Sequence, residues 1–415
     1  MPDEPGPPDS ADFERPPLQA GEHVESAAIQ VKPGADGLPV LDVIAAEAPA
    51  GQAEAAAAPP GQRGWSIATP RRPRPGFWEA ALWTMVYGVV LQIVVMLGVG
   101  VVALLVQLAM SDRPAVDLAR FGQPNFAQTE QFRSFNALFQ QMFLVSYPLT
   151  GTLLGLATIR LSAGQDWPRR VGFRRPGWLH LVLALAAVPA LVILSDGVYR
   201  LALLTNMPSF HVIEELNRML SGWPWAFGVF AIGLLPGIAE EVWCRGFLGR
   251  GLVGRYGYVR GVLLTSFFFG VMHFDPPHAT AAFFMGICLQ CAYLVSRSLW
   301  IPILLHFLNN SASALAATAW KDTAFGRALD EPPTILYAPA LLLGLVVAWA
   351  FYRSRGRLVT TTGVEEWRPA FPGVEWPPPG SATRVQSGWP GWLSLACVIA
   401  ALGLFAAVLV LAIQN

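Results

Sequence analysis

Charge is scarce in this chain. Asp, Glu, Lys and Arg make up 13% of its 415 residues, too few to cover the surface of a soluble protein of this length. Lysine is nearly missing: Lys32 and Lys321 stand alone, and the other basic positions are arginine. Net charge is zero, so no basic surplus points to a nucleic-acid partner. Cysteine is sparse too. Cys244, Cys288, Cys291 and Cys397 all fall in or beside apolar segments, and their spacing gives no disulfide framework. Cys288 and Cys291 form a CxxC without a second pair, and they read as small packing residues. No basic stretch followed by an apolar core stands near the N-terminus, which excludes a signal peptide there.

Hydrophobic residues fill the space that charge leaves, at 53% of the chain. Residues 1–75 stand apart from the rest. Over 1–62 they are rich in Pro, Ala and Gly and carry 11 acidic against 2 basic residues. Such a stretch buries too little apolar surface to offset its ordering entropy, so 1–75 is expected to be a disordered acidic tail. From Trp78 onward nine apolar segments follow, near 78–109, 137–161, 178–203, 224–250, 259–273, 279–297, 300–320, 335–352 and 391–413. Their lengths predict an all-α, polytopic integral membrane protein with about eight to nine transmembrane helices.

Arginines cluster before the first segment and in alternate loops, at 169–175, 250–260, 297 and 353–357. The loops around 111–134, 204–223 and 321–334 are neutral or acidic. The positive-inside bias therefore predicts a cytoplasmic N-terminus in a cell (plasma) membrane. The expected organisation is N-terminal helices over 76–223, a core over 224–320 and a further helix in 321–353. A Pro/Gly-rich linker over 354–390 then leads to a last helix in 391–415. The fifth segment is too short for a straight crossing.

Within this apolar background Glu240, Glu241 and Arg245 stand together. A single charged side chain at a helix centre costs about 2.5–3.5 kcal/mol, so three in one segment call for a use. Glu241 and Arg245 are four apart and share a helix face, which predicts an ion pair. Glu240 points about 100° away and is left as the free carboxylate. Desolvated by apolar neighbours, it is suited to general-base work. The competing reading is a cluster that snorkels to the membrane edge, but one arginine cannot satisfy two carboxylates. His273 follows Phe269 by four, and Asn310 follows His306 by four, so each pair projects from one face. His278, just past Pro276-Pro277, reads as a loop or interface residue. Asp196 and Arg200 are expected to pair with each other.

The pattern EExxxR at Glu240–Arg245, FxxxH at Phe269–His273 and HxxxN at His306–Asn310 resembles the CPBP family. These are the CAAX-processing and bacteriocin-processing intramembrane proteases, or type II CAAX endopeptidase/Abi family. The resemblance covers roughly 224–320. It implies a helical core that encloses an intramembrane active site and hydrolyses a peptide bond of a membrane-associated protein, CAAX-type or lipidated. Glu240 and His273 would activate a water, His306 and Asn310 would hold the oxyanion, and Glu241 with Arg245 would support them. The cofactor is none or a divalent metal such as zinc, for which Glu240, His273 and His306 could supply three ligands; no HExxH accompanies them. The partners expected are a membrane-associated peptide or protein substrate and the lipid bilayer. Two other classes stay open: a non-enzymatic membrane adaptor or immunity protein on the same fold, and, with no second copy of EExxxR to support repeated halves, a transporter.

Overall fold

The computed structural model describes residues 28–33, 39–44, 73–110, 125, 129–360 and 383–414. It falls into two units, Met1–Thr69 and Pro70–Asn415. In the first, β1 (Ala28–Pro33) and β2 (Pro39–Ile44) pair antiparallel, with Val31 opposite Leu41. These twelve residues depart from the disorder expected of the tail. They concentrate the tail's β-branched residues, which favours strand pairing over coil. The rest of that expectation lies outside the described residues, apart from 73–75.

The second unit is helical. Its long elements are α1 (Phe77–Ala109), α2 (Glu130–Ala163), α3 (Trp178–Leu203) and α5 (Trp225–Val271). They continue with α6 (Pro276–Ser296), α7 (Trp300–Ala317), α9 (Tyr337–Arg353) and α10 (Trp392–Gln414). Two short helices, α4 (Val212–Leu220) and α8 (Ala324–Asp330), lie in the connections α3–α5 and α7–α9. All nine apolar segments are helical, but among the described residues seven helical stretches have the length and apolarity to cross a membrane. That number, set by length and apolarity alone, differs from the eight to nine read from the sequence at two places. Segments four and five run on as α5, and α7 is excluded by its own polar residues, His306, Asn309, Asn310 and two serines.

Segments four and five are joined by a bend, not a loop. Gly257 sits at φ 81° and ψ 177°, a conformation that side chains with a Cβ avoid. The arm beyond it, 258–271, spans only about 21 Å at 1.5 Å per residue, short of the roughly 30 Å hydrocarbon core. The arm ends two residues before His273, which is half-buried.

α5 is the central element. α2 packs on one side of it, and α6 and α7 on the other; α3 packs against α6, α7 and α9, with α10 outermost on α9. Lipid tails are as apolar as leucine, so close packing, not water exclusion, holds such helices together. Small residues permit it: a Cβ on Gly237 of α5 would stand 3.1 Å from the Phe307 backbone nitrogen of α7. Trp243 is fully buried and stacks on Tyr87 of α1 with ring centroids 4.4 Å apart. The expected linker is also partly ordered. β3 (Gly356–Thr360) pairs antiparallel with β4 (Thr383–Ser387), helped by the β-branched Val359 and Thr360 on one strand and Thr383 and Val385 on the other. The intervening 361–382 lie outside the described residues.

Candidate active site

Glu240 and Glu241 close a short α-helical turn, Leu235–Glu241, set between two π-helical stretches, Val229–Leu234 and Val242–Gly249. Wider i→i+5 turns of this kind are uncommon and gather at functional sites. Glu241 and Arg245 nevertheless meet, with Arg245 Nη1 donating to Glu241 Oε1 at 2.6 Å and both side chains fully buried. Arg245 Nη2 donates to the Gly286 carbonyl on α6 at 3.0 Å. Its guanidinium also lies over the Phe269 ring, 4.8 Å from the centroid. A buried charge held by a carboxylate, a carbonyl and a ring face is fixed in place.

The same Glu241 Oε1 lies 2.8 Å from His306 Nδ1, and His306 is 1% exposed. His273 Nδ1 lies 2.9 Å from the Phe269 carbonyl oxygen. A carbonyl and a carboxylate only accept, so each Nδ1 carries its proton toward that partner. Each Nε2 is left facing the other way. Both then face Glu240: its Oε2 is 3.9 Å from His273 Nε2 and 3.9 Å from His306 Nε2. That oxygen is buried and has no hydrogen-bond partner among the described residues. Phe269 is packed edge-on to both imidazoles, at centroid distances of 5.0 and 5.8 Å.

Asn310 joins the group less directly. Its Nδ2 donates to the Ile232 carbonyl at 3.2 Å, which leaves its second amide hydrogen uncommitted, and its Oδ1 accepts from Asn309 Nδ2 at 3.3 Å. Glu240, His273, His306 and Asn310 all line one cavity of about 490 Å³. Glu241 and Arg245 stand behind it.

Three residues carry more than the sequence reading gave them. His278 belongs to the first turn of α6, not to a loop, and its ring lies 4.5 Å from that of His273 in the cavity wall. Asp275 caps that helix, accepting from the His278 backbone N–H at 3.4 Å and from Phe210 N–H at 2.7 Å. The signal was present: Asp followed by Pro-Pro is a helix start. The reversal before it places Phe274 at φ 56°, a rare backbone for a bulky residue. This turn brings His273 back over Glu240. Asn309 is the third, a cavity residue hidden beside the motif position Asn310. Asp196 and Arg200 pair as expected, at 2.7 Å.

The fold and the site together define a polytopic α-helical membrane protein with a carboxylate–histidine cluster enclosed among its helices. Residues 222–312 match the family model described as Rce1-like, type II CAAX prenyl endopeptidase. That segment contains all three motifs, and the match supports the resemblance to the CPBP intramembrane proteases. The match covers less than a quarter of the chain and supports a CAAX-type intramembrane endopeptidase in general. Neither a curated protein nor a solved structure matches the chain significantly.

Proposed function

We propose that the chain is an endopeptidase that hydrolyses a peptide bond of a membrane-associated protein, with Glu240 as the general base. One observation carries the reading. A buried, unpartnered carboxylate oxygen of Glu240 stands equidistant from two imidazole Nε2 atoms at the deep end of a cavity. A gap of 3.9 Å is too long for a direct hydrogen bond and leaves room for a bridging water. Glu240 takes a proton from that water, with His273 orienting it, as the oxygen attacks the scissile carbonyl. The carbonyl π pair moves to its oxygen, and the tetrahedral anion needs donors that are already in place. The uncommitted amide hydrogen of Asn310 is one. His306 is the other in this reading, its ring held in place by Glu241 at Nδ1. Collapse expels the amine, which takes the proton held by Glu240.

A divalent metal is the variant of this reading that the donor types allow, although among the described residues no three His, Cys, Asp or Glu side chains are spaced to hold an ion as they stand. Glu240 Oε2, His273 Nε2 and His306 Nε2 converge, and both Nδ1 atoms are held by acceptors, the usual backing of metal-ligating histidine. Those three residues would hold zinc or a similar ion, which when bound acidifies a water and polarises a carbonyl. Arg245 and Glu241 keep the ring of His306 oriented in either case. The membrane position, with a cytoplasmic N-terminus, is supported by the arginine-rich alternate loops.

The test is cleavage of a quenched-fluorescent peptide library, prenylated members included, by the detergent-purified chain. Glu240→Ala, His273→Ala and His306→Ala would run beside it, each with and without chelator. Turnover lost in all three variants is the expected result, and loss in chelator would add the metal. Full turnover by Glu240→Ala would overturn the assignment.

A further inference from the structure

The cavity above the site has a polarity that catalysis does not use. Its deep end is the buried cluster at Glu240 and His306. Its other end is exposed and formed by Glu214 of α4, Asp330 of α8 and Glu331. Between them stands Asp196. Among the described residues Arg200 is the only Lys or Arg in the lining, and it is already committed: Nε donates to Asp196 Oδ2 at 2.7 Å and Nη2 to the Asp330 carbonyl at 2.6 Å. The walls thus hold five carboxylates against one guanidinium. Low-dielectric walls of one sign focus potential on what enters.

The uncharged lining leans the same way. Asn309 is 9% exposed, lines the cavity, and its Oδ1 has no hydrogen-bond partner among the described residues. Glu240 Oε2 is likewise unpartnered there. A buried acceptor without a donor is costly, so both await a donor-rich ligand. The rim itself is braced: Tyr199 OH donates to Glu214 Oε1 at 3.1 Å, and Asn217 Nδ2 to Asp330 Oδ1 at 3.4 Å. These neutral donors space the carboxylates, and the exposed His211, with Nδ1 3.8 Å from Glu214 Oε1, is a further neighbour of the rim.

We propose that this cavity takes a peptide segment bearing a lysine or arginine, its cationic head held at the rim by Glu214, Asp330 and Glu331 while its backbone runs inward past Asn309. The position of the scissile bond relative to that residue rests on the endopeptidase reading; the binding preference does not. α4 and α8 belong to the neutral or acidic connections, opposite the arginine-rich loops. The segment therefore enters from the face that the arginine bias sets outside the cytoplasm.

Binding separates this inference from catalysis. Full-length Glu240→Ala protein in nanodiscs is titrated against fluorescein-labelled twelve-residue Ala/Leu peptides, each with one arginine moved stepwise along it. A second set carries neutral citrulline instead. At least one register is expected to bind about tenfold more tightly with arginine, a gain typical of a close charge partner. The gain should fall below about twofold in E214Q/D330N/E331Q and shrink as salt rises. Glu215→Gln, on the outer face of α4, serves as a folded control that keeps the preference. Equal binding of both sets in every register overturns the proposal, as does a preference that survives the triple substitution. Cleavage by the native chain is read in parallel. An arginine preference without cleavage sinks the endopeptidase reading alone, and cleavage without the preference sinks the cation site alone.

Discussion

Two polar regions meet at Glu240, and they are built on opposite principles. On one side lies the sealed group of Glu241, Arg245 and His306, all at most 1% exposed and joined by bonds of 2.6 and 2.8 Å. On the other lies the cavity, lined by Glu240, Asn309 and the exposed rim carboxylates, where Glu240 Oε2 and Asn309 Oδ1 are buried acceptors with no donor among the described residues. Adjacent residues in the chain, Glu240 and Glu241, thus take up unlike tasks. A carboxylate enclosed with an arginine is a structural fixture, because moving either charge leaves the other buried alone. A carboxylate aimed into a cavity is free to exchange protons. What separates them is one residue of helical rotation and the identity of the neighbouring helix.

The sharpest way to break this comparison is to exchange the roles. Glu240→Gln should lower peptide cleavage by about 10²–10⁴-fold, the usual span for a lost acid–base group, with the thermal unfolding midpoint in detergent nearly unchanged. Arg245→Ala should do the reverse in kind, costing about 3–5 kcal/mol of stability by stranding Glu241, with cleavage lost only as the fold is lost. Parallel denaturation and activity measurements on both variants would expose any crossing of the two effects. Asn310→Ala is expected to reduce turnover by about 10²–10³-fold, as removal of one oxyanion donor does, with KM little altered. A rise in KM at constant kcat would instead move Asn310 to substrate binding.

Smaller changes sharpen the boundary between the two regions. Gly257→Ala forces a Cβ into a φ of 81° and should destabilise by about 1–2 kcal/mol. If the midpoint holds, the bend between segments four and five does not depend on that glycine. Asp275→Ala removes a helix cap and should cost about 1 kcal/mol. Its signature would be greater proteolytic sensitivity in the α3–α4 connection, which Asp275 holds through Phe210 and Ser209.

Much of this was legible along the chain. Apolar runs named the helices, because a bilayer demands about twenty such residues whatever they pack against. The i,i+4 pairing of Glu241 with Arg245 and of Asp196 with Arg200 followed from helix geometry alone. The span count was less legible. Gly257 gives no sign in composition that the chain bends there instead of forming a loop, and the polar residues that make α7 useful also dilute the apolarity by which a span is recognised. His278 was misplaced because Pro276-Pro277 marks a helix start as readily as a loop, and only the Asp275 cap separates the two. The paired strands Gly356–Thr360 and Thr383–Ser387 were hidden since their partners lie more than twenty residues apart.

By itself, then, the sequence determined the helical membrane class, the family resemblance of residues 222–312 and which charged residues stand together, since all three depend on residue type and local periodicity. The tertiary structure alone decided that His273 and His306 turn their Nε2 atoms to the same oxygen of Glu240, and that acidic residues of α4 and of the end of α8 rim one cavity. Those facts depend on which helices pack side by side, and packing is a property of surfaces distant in sequence.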